Sequence, residues 1–211
     1  MSSQQRSGIA LVICAPSGAG KTTLIKRLIK EFPRFSFSVS CTTRKPRSNE
    51  EQDIDYDFIT KKEFSWRRDA GYFAEWAEVH GHFYGTPLEA TRALLSQGRD
   101  VLFDIDVQGA SQLRRTIPGA RLIFILPPSR RELERRLKER RTETPESLRQ
   151  RLITAGTEMM QAYWFNTWIV NDDLERAWEE LRAEYIAASL SPSLRPAFVN
   201  SLLEEWADDN A

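Results

Sequence analysis

Residues 9–22, IALVICAPSGAGKT, join a short apolar run to a glycine-rich turn that ends in Gly20-Lys21-Thr22. The apolar run is rich in branched side chains and continuous rather than alternating, which is typical of a strand buried on both faces. A helical pattern follows from Lys21 to Glu31. A strand, a glycine-rich turn and a helix in this order predict an α/β fold with a phosphate-binding loop.

The same alternation continues along the chain. Residues 101–105 (VLFDI), 122–126 (LIFIL) and 168–170 (WIV) read as further buried strands, and helical patterns follow at 128–140 and 174–188. Helices on both faces of a parallel sheet are the expected arrangement. Two stretches interrupt the alternation. Residues 40–90 predict a small insertion with its own local structure, and the charged residues 137–154, with almost no apolar periodicity, predict a mobile surface segment.

Composition excludes several classes of protein. The chain has 211 residues, 41% of them hydrophobic, and its 30 basic residues balance 30 acidic ones. A net charge of zero argues against a broad nucleic-acid or membrane surface. The longest apolar run is too short to span a membrane, and the first residues, MSSQQRSG, lack the apolar core of a signal peptide, so we expect a cytoplasmic protein. Cys14 and Cys41 are too few for a disulfide framework or a four-cysteine zinc site.

The glycine-rich turn carries a phosphate-loop pattern. The usual motif is G-x-x-x-x-G-K-[ST], and here Ala15 takes the place of its first glycine. Gly18 and Gly20 allow successive N–H groups to converge on an anion, and the following helix adds partial positive charge at the same point. Lys21 can reach the β- and γ-phosphates of ATP, and the Thr22 hydroxyl can bind Mg²⁺. The alternative, a turn that merely joins strand and helix, leaves this Gly-Lys-Thr register unexplained.

A second phosphate site is indicated by Arg44 and Arg47, which Pro46 holds three residues apart. Two planar guanidinium groups can clamp one phosphate, although an ordinary charged turn explains this pair equally well on its own. Tyr56 and Tyr84 can add hydroxyl donors.

A carboxylate lies within the aromatic run Phe73-Ala74-Glu75-Trp76. A buried carboxylate needs a partner, because its desolvation costs several kcal/mol. Guanine is one such partner, since its N1–H and N2–H₂ groups donate side by side, whereas adenine presents an acceptor at N1. A salt bridge to Arg or Lys is the equally good alternative.

Asp104 and Asp106 end the strand VLFDID. The carboxyl ends of parallel strands border the crevice where such sheets bind ligands. One carboxylate can serve the Mg²⁺ shell, mostly through water, and the other can reach a substrate base. Asp106 can also be the N-cap of a following helix.

Together these residues resemble guanylate kinase. The resemblance covers residues 9–186 and rests on seven ordered blocks: PSGAGKTTL (16–24), FSVSCTTRKPR (37–47), DYDF (55–58), FAEWAEVHGHFYGT (73–86), DIDVQGA (104–110), RRLKERRTETPES (135–147) and IVNDDL (169–174). It implies the reaction ATP + GMP ⇌ ADP + GDP with Mg²⁺. It also implies a P-loop NTPase three-layer sandwich whose parallel sheet carries a small GMP-binding insertion and a lid.

The resemblance implies a division of the chain and a role for each part. Residues 1–39, 91–136 and 155–211 would form the core, 40–90 the GMP-binding subdomain and 137–154 the lid, within a single domain of about residues 8–188. Residues 189–211 form an extension without a counterpart in the family pattern. Three positions depart from that pattern, namely Ala15, Asp53 and Arg141, each of which replaces a usual glycine.

The resemblance also assigns site residues. For ATP they are Ala15, Pro16, Ser17, Gly18, Ala19, Gly20, Lys21, Thr22, Thr23, Arg136, Asn171 and Asp172. For GMP they are Ser40, Arg44, Arg47, Tyr56, Glu75, Tyr84, Thr86, Asp104 and Asp106. Catalysis would rest on Lys21, Arg47, Arg140 and Arg151, and Mg²⁺ would lie near Thr22 and Asp104.

Two alternatives belong to other classes of function. A catalytically inactive guanylate-kinase-like binding module is expected to lose parts of the loop and lid, whereas Lys21, Thr22, Arg140 and Arg151 are all present here. A related sugar-phosphate kinase would have no need of Glu75 between aromatic residues. The expected partners are therefore ATP and GMP, without nucleic acid or membrane, and a homo-oligomer is compatible with the sequence.

Overall fold

The computed structural model describes residues 6–36, 38–79, 81–139 and 144–208. The strands are β1 (Ala10–Cys14), β2 (Phe35–Ser36), β3 (Ser40–Thr42), β4 (Tyr56–Phe58), β5 (Phe73–Val79), β6 (His82–Pro87), β7 (Asp100–Asp104), β8 (Arg121–Leu126) and β9 (Thr167–Val170). The helices are α1 (Lys21–Glu31), α2 (Lys61–Asp69), α3 (Leu88–Ser96), α4 (Val107–Thr116), α5 (Arg130–Glu139), α6 (Pro145–Met160), α7 (Leu174–Ser189) and α8 (Phe198–Asp208).

The core is a five-stranded sheet in the order β2-β7-β1-β8-β9, and each pairing within it is parallel. The central strand β1 is fully buried because helices cover both of its faces. Leu11 and Ile13 pack towards α1 and α7, whereas Val12 and Cys14 pack towards α4. This three-layer arrangement confirms the predicted fold class. The four predicted core strands lie within one residue of the predicted bounds, and α1 has the predicted bounds.

The insertion forms a second sheet in the order β4-β3-β6-β5. Strands β5 and β6 form an antiparallel hairpin, and β3 pairs antiparallel to β6 and parallel to β4. Phe64 of α2 is fully buried and stacks on Phe73 at a centroid distance of 4.5 Å. The β-like run SFSVS is shared between the two sheets, because Ser36 ends β2 and Ser40 begins β3.

Residues 137–154 differ from the expectation of a segment with almost no apolar periodicity. Helix α5 reaches Glu139 and α6 begins at Pro145 after a Thr144 cap. Leu137 is fully buried, and Leu148 and Leu152 pack against the same small cluster. These leucines were overlooked because charged residues surround them in the sequence. The described part of this segment is therefore helical and holds its own apolar contacts.

The segment around Ser7 approaches the segment around Leu194 at the amino-terminal edge of the core sheet. The Ser7 amide donates to the Leu194 carbonyl at 2.9 Å, and the Leu194 side chain packs against the main apolar cluster. Helix α8 follows this contact. Within the described ranges, none of the helices is both long and apolar enough to cross a membrane.

Candidate functional site

The phosphate loop connects the buried end of β1 to the first turn of α1. Gly18 and Gly20 have φ values of 94° and 97°, in the left-handed region that favours glycine. Gly20 also precedes the first residue of α1, so the free N–H groups of that helix begin at the loop. The loop therefore has the backbone shape that an anion-binding site requires.

Ala15 and Asp53, which each replace a usual glycine of the family pattern, differ in the sign of their backbone φ angle. In the described part of the chain, Asp53 is the one non-glycine residue with a positive φ, at 62°. Alanine at position 15 is therefore free of left-handed strain. Asp53 instead occupies a conformation that glycine adopts more easily, which explains a glycine preference at that position. Arg141 lies outside the described residues.

Lys21 lies between the phosphate loop and the carboxyl end of β7. Its Nζ forms an ion pair with Oδ1 of Asp104 and donates to the Ile105 carbonyl at 3.5 Å. The Thr22 side chain is exposed at the start of α1. The loop borders a cavity of about 310 Å³, which Lys21, Thr22 and Asp106 also line. The structure thus brings the predicted phosphate ligands together around one space.

Asn171 supports the phosphate loop through contacts with Ala19 and Gly20. Its Nδ2 donates to the Ala19 carbonyl at 2.7 Å, and it lies so close to Gly20 that a Cβ there would be 2.1 Å from Nδ2. Arg136 in turn donates to the Asn171 carbonyl at 2.9 Å. The neighbouring Asp172 is exposed and pairs with Arg176. Asn171 therefore has a structural reason to be present besides the predicted position beside the adenine.

Arg151 reaches the phosphate loop from α6. Its Nη2 donates to the Ser17 hydroxyl. Because Ser17 lines the loop cavity, this contact places the Arg151 guanidinium beside that cavity. The predicted partner Arg140 lies outside the described residues, so its role stays a prediction.

Three of the four predicted guanine readers, Ser40, Glu75 and Thr86, lie on adjacent strands of the insertion. Glu75 of β5 is paired in register with Thr86 of β6. The Thr86 hydroxyl donates to Oε1 of Glu75 at 2.5 Å, and the Ser40 hydroxyl lies 3.4 Å from the Thr86 hydroxyl. Within the described ranges no Arg or Lys forms an ion pair with Glu75. The salt-bridge alternative for this carboxylate is therefore not realised.

Burial raises the pKa of Glu75, and the negative charge of Asp106 raises it further, while hydrogen bonds from Thr86 oppose the shift. The Asp106 carboxylate caps α4 by accepting from the amides of Gln108 and Gly109 at 3.0 and 2.9 Å. The predicted N-cap is therefore present. It fixes Asp106 where the core sheet meets the insertion.

Arg44, Tyr56 and Tyr84, three of the four residues predicted to clamp the GMP phosphate, lie together. Arg44 Nε donates to the Tyr84 hydroxyl at 3.2 Å, and its guanidinium carbon lies 5.6 Å from the centre of the Tyr56 ring. The two tyrosine rings are 6.0 Å apart. Arg47 extends into solvent, with 73% of its side chain exposed. Three of the four clamp residues are therefore in contact, and Arg47 lies beside them.

Sequence reasoning missed Glu50. Its two oxygens accept from both terminal nitrogens of Arg44 at 2.9 Å, and Oε2 also accepts from the Arg47 amide at 2.8 Å. These contacts hold the pKa of Glu50 below its usual value. Its carboxylate accepts from the same two guanidinium nitrogens of Arg44 that a phosphate would accept from. The available signal was an acidic residue three positions after Arg47.

Glu158 of α6 was missed as well. It lines the phosphate-loop cavity beside Asp106. Burial raises its pKa, and Asp106 adds to this shift whereas Lys21 opposes it. A lone glutamate in a helix gives no sequence signal for such a position, because the contact arises only when α6 packs against the loop.

Comparison with known proteins agrees with this geometry. The guanylate kinase family model matches residues 7–188. The chain is 62% identical to the guanylate kinase of Oleidesulfovibrio alaskensis over 95% of this chain and 98% of the relative, and 61% identical to that of Nitratidesulfovibrio vulgaris over 97% and 99%. The crystal structure of guanylate kinase from Anaplasma phagocytophilum superposes with a TM-score of 0.67 at 30% identity, covering 90% of each chain.

The resemblance carried by seven sequence blocks is thus matched along most of the chain in both sequence and structure. The phosphate loop and the Glu75–Thr86 pair both lie within the residues that the family model covers. The chain belongs to the guanylate kinase family.

Proposed function

We propose that this protein transfers the γ-phosphoryl group of ATP to the phosphate of GMP, through the residues assigned below. The observation that carries this proposal is the buried carboxylate of Glu75, which faces the core from the insertion and has no cationic partner among the described residues. A buried carboxylate stays ionised only when donors satisfy it. The guanine N1–H and N2–H₂ groups supply two such donors, which supports GMP as the acceptor.

On the acceptor side, Glu75, Thr86, Ser40 and Asp106 would read the base. Arg44, Arg47, Tyr56 and Tyr84 would hold the GMP phosphate. The GMP phosphate would displace the Glu50 carboxylate from the Arg44 guanidinium, because the phosphate and the carboxylate need the same two N–H groups. None of these assigned contacts involves the 2′-hydroxyl, so we expect dGMP to be accepted as well.

On the donor side, the loop amides and Lys21 would hold the β- and γ-phosphates. Lys21 would exchange its ion pair with Asp104 for contacts to phosphate oxygens. Asn171 and Asp172 would lie beside the adenine, and Arg136 would contact the phosphates of ATP. Arg151, together with Arg140, would cover the transferred phosphoryl group and neutralise its charge in the transition state.

Residues at this site fit a magnesium ion. Mg²⁺ prefers oxygen ligands and keeps several waters, and the Thr22 hydroxyl and the partly exposed Asp104 carboxylate offer such oxygens beside the loop. When bound, Mg²⁺ would neutralise phosphate charge. The protein's own residues supply the remaining requirements, which are alignment of the two phosphates and exclusion of water. The GMP phosphate is already anionic, so a general base is unnecessary.

The parts of the chain would divide the work accordingly. The core carries the ATP site, residues 40–90 the GMP site, and 137–154 would act as a lid whose closure suppresses hydrolysis of ATP. The natural location of such a reaction is the cytoplasm, where both nucleotides occur. The inactive-module alternative is disfavoured, because Lys21, Thr22 and Arg151 all face the loop cavity or its rim.

The test is a coupled assay of ADP formation from ATP with GMP, dGMP, AMP or ribose 5-phosphate as the acceptor. We expect turnover with GMP and dGMP, and at least a hundredfold lower kcat/KM with AMP. Absence of turnover with all four acceptors would favour a binding module. Turnover with ribose 5-phosphate but not GMP would favour a sugar-phosphate kinase.

A further inference from the structure

Glu158 is the carboxylate of the phosphate-loop cavity to which the mechanism above gives no role. Three of the side chains lining that cavity carry charge, namely Lys21, Asp106 and Glu158. Asp106 is engaged as the cap of α4, and Lys21 pairs with Asp104. The Glu158 carboxylate accepts no hydrogen bond from any part of the chain that the structure describes, although the backbone carbonyl of Glu158 accepts from the Gln161 amide at 3.0 Å. This half-buried carboxylate therefore faces the space where the triphosphate would lie without a donor from the described residues.

The position of Glu158 is fixed by the helix that also carries Arg151. The two residues are seven positions apart on α6, which places them on the same face about two turns, or roughly 10 Å, from each other. Arg151 contacts Ser17 at one side of the loop cavity, and Glu158 lines that cavity beside Asp106. One rigid helix thus presents a cation and a carboxylate to the same phosphate-binding space.

A carboxylate in this place is unfavourable for a bare anion. Free ATP carries about four negative charges at neutral pH, and Glu158 and Asp106 would repel it at short range in a partly buried cavity. Burial and the charge of the neighbouring Asp106 raise the pKa of Glu158, and the charge of Lys21 only partly opposes this shift. The same carboxylate oxygens can accept hydrogen bonds from water molecules around a cation that accompanies the triphosphate.

We propose that Glu158 is a positioning residue that makes the phosphate loop prefer ATP with bound Mg²⁺ over free ATP. The inference rests on the proposed function, since it takes the loop as the ATP site. Glu158 weakens the binding of the free nucleotide by repulsion and orients the hydrated cation of the complex. Its contribution is to discriminate between two forms of one substrate.

The test measures nucleotide binding rather than turnover. Isothermal titration calorimetry gives the Kd of ATP with excess Mg²⁺ and with EDTA, for the wild type, Glu158→Gln, Glu158→Asp and the control Glu204→Gln. Glu204 lies on the exposed surface of α8, away from the cavity, so its substitution removes the same charge elsewhere. Thermal unfolding of each variant verifies that it is folded.

We expect Glu158→Gln to reduce the ratio of the two Kd values on the order of tenfold, mainly through tighter binding of free ATP. Glu158→Asp keeps the charge and should retain most of the ratio, as should Glu204→Gln. An unchanged ratio in Glu158→Gln, or an equal change in the α8 control, overturns the inference. Wild-type protein that binds ATP in neither condition instead contradicts the proposed function, so the two failures are distinguishable.

Discussion

Arg6 and Asp100 form a two-pronged ion pair inside the protein, with both N–O distances at 2.9 Å and side-chain exposures of 6% and 0%. Asp100 also accepts from the Tyr185 hydroxyl at 2.6 Å and from the Ile9 amide at 2.9 Å. Burial alone would raise the pKa of Asp100, but the hydrogen bonds from Arg6 and Tyr185 outweigh it and hold the pKa below its usual value. The pair joins the amino-terminal segment to β7 and α7.

Asp100→Asn should lower the free energy of unfolding by about 3–5 kcal/mol, because it leaves the Arg6 charge buried without its partner. Urea unfolding at pH 7 measures this, with the exposed Asp172→Asn as control. The contribution of Asp100 is present above the unfolded carboxyl pKa of about 3.9 and is lost as the pH falls through the lower folded pKa. A loss below about 1 kcal/mol at pH 7 would contradict the buried pair's role.

Glu75→Gln should lower kcat/KM for GMP by roughly 10²-fold, since two charge-assisted hydrogen bonds to guanine weaken. The rate with AMP should change little, so the GMP-to-AMP ratio falls. Glu78→Gln is a matched control, because Glu78 lies on the same strand but is exposed. An unchanged ratio in Glu75→Gln would exclude Glu75 as a guanine reader.

The same Glu75→Gln substitution should raise the melting temperature of the nucleotide-free protein at pH 7. Because the pKa of Glu75 is raised on folding, its ionised form opposes folding at every pH above the unfolded carboxyl pKa of about 4.3. Glutamine removes this penalty, so the gain should shrink as the pH falls through the raised folded pKa and vanish below the unfolded pKa of about 4.3. Calorimetric scans at pH 4 and pH 7 provide the comparison. A melting temperature lower than wild type at pH 7 would be inconsistent with this account.

Arg151→Ala should reduce kcat by about 10³-fold without unfolding the protein, because it removes a cation from the transition state. Arg149→Ala is the control, since Arg149 is an exposed arginine of the same helix. The coupled assay and the far-UV circular dichroism spectrum of both variants give the result. Near-normal turnover in Arg151→Ala would remove Arg151 from the catalytic assignment.

Asp53→Gly should stabilise the fold by up to about 1 kcal/mol, because the positive φ of 62° strains any residue with a Cβ. The gain is limited by the greater freedom of glycine in the unfolded chain. Asp53→Ala should instead destabilise, since it keeps the Cβ and loses the contact of the carboxylate with Gln52. Thermal unfolding of the two variants should therefore shift in opposite directions, and shifts of equal sign would count against backbone strain.

The sheet could be predicted from the sequence because a strand that is buried on both faces is a continuous run of apolar residues. Strands β1, β7 and β8 are continuous apolar runs, and Asp104, which ends β7 and pairs with Lys21 at the start of α1, marks the edge that carries the site. The phosphate loop was predictable for a different reason, because its glycines allow a backbone conformation that the loop itself requires. Family resemblance then located the two nucleotide sites.

Other features depend on packing that no local pattern records. Glu50 contacts Arg44 because the loop between them folds back on itself. Glu158 lines the phosphate-loop cavity because α6 packs beside the loop. The bracing role of Asn171 likewise follows from its approach to Gly20 across 151 positions of sequence. The leucines of α6 did carry a helical period, which the surrounding charges obscured.

The hydrogen bond between Ser7 and Leu194 has a practical consequence for handling the protein. It lies beside the amino-terminal end of β1, whereas the phosphate loop follows the carboxyl end of the same strand. A purification tag, a fluorophore or a surface-attachment peptide attached ahead of Arg6 therefore keeps the Arg6–Asp100 pair and joins the described chain at the opposite end of β1 from the phosphate loop. Immobilised in this orientation, the molecule would offer its whole substrate-binding edge to solution, which suits surface-based measurement of nucleotide affinity.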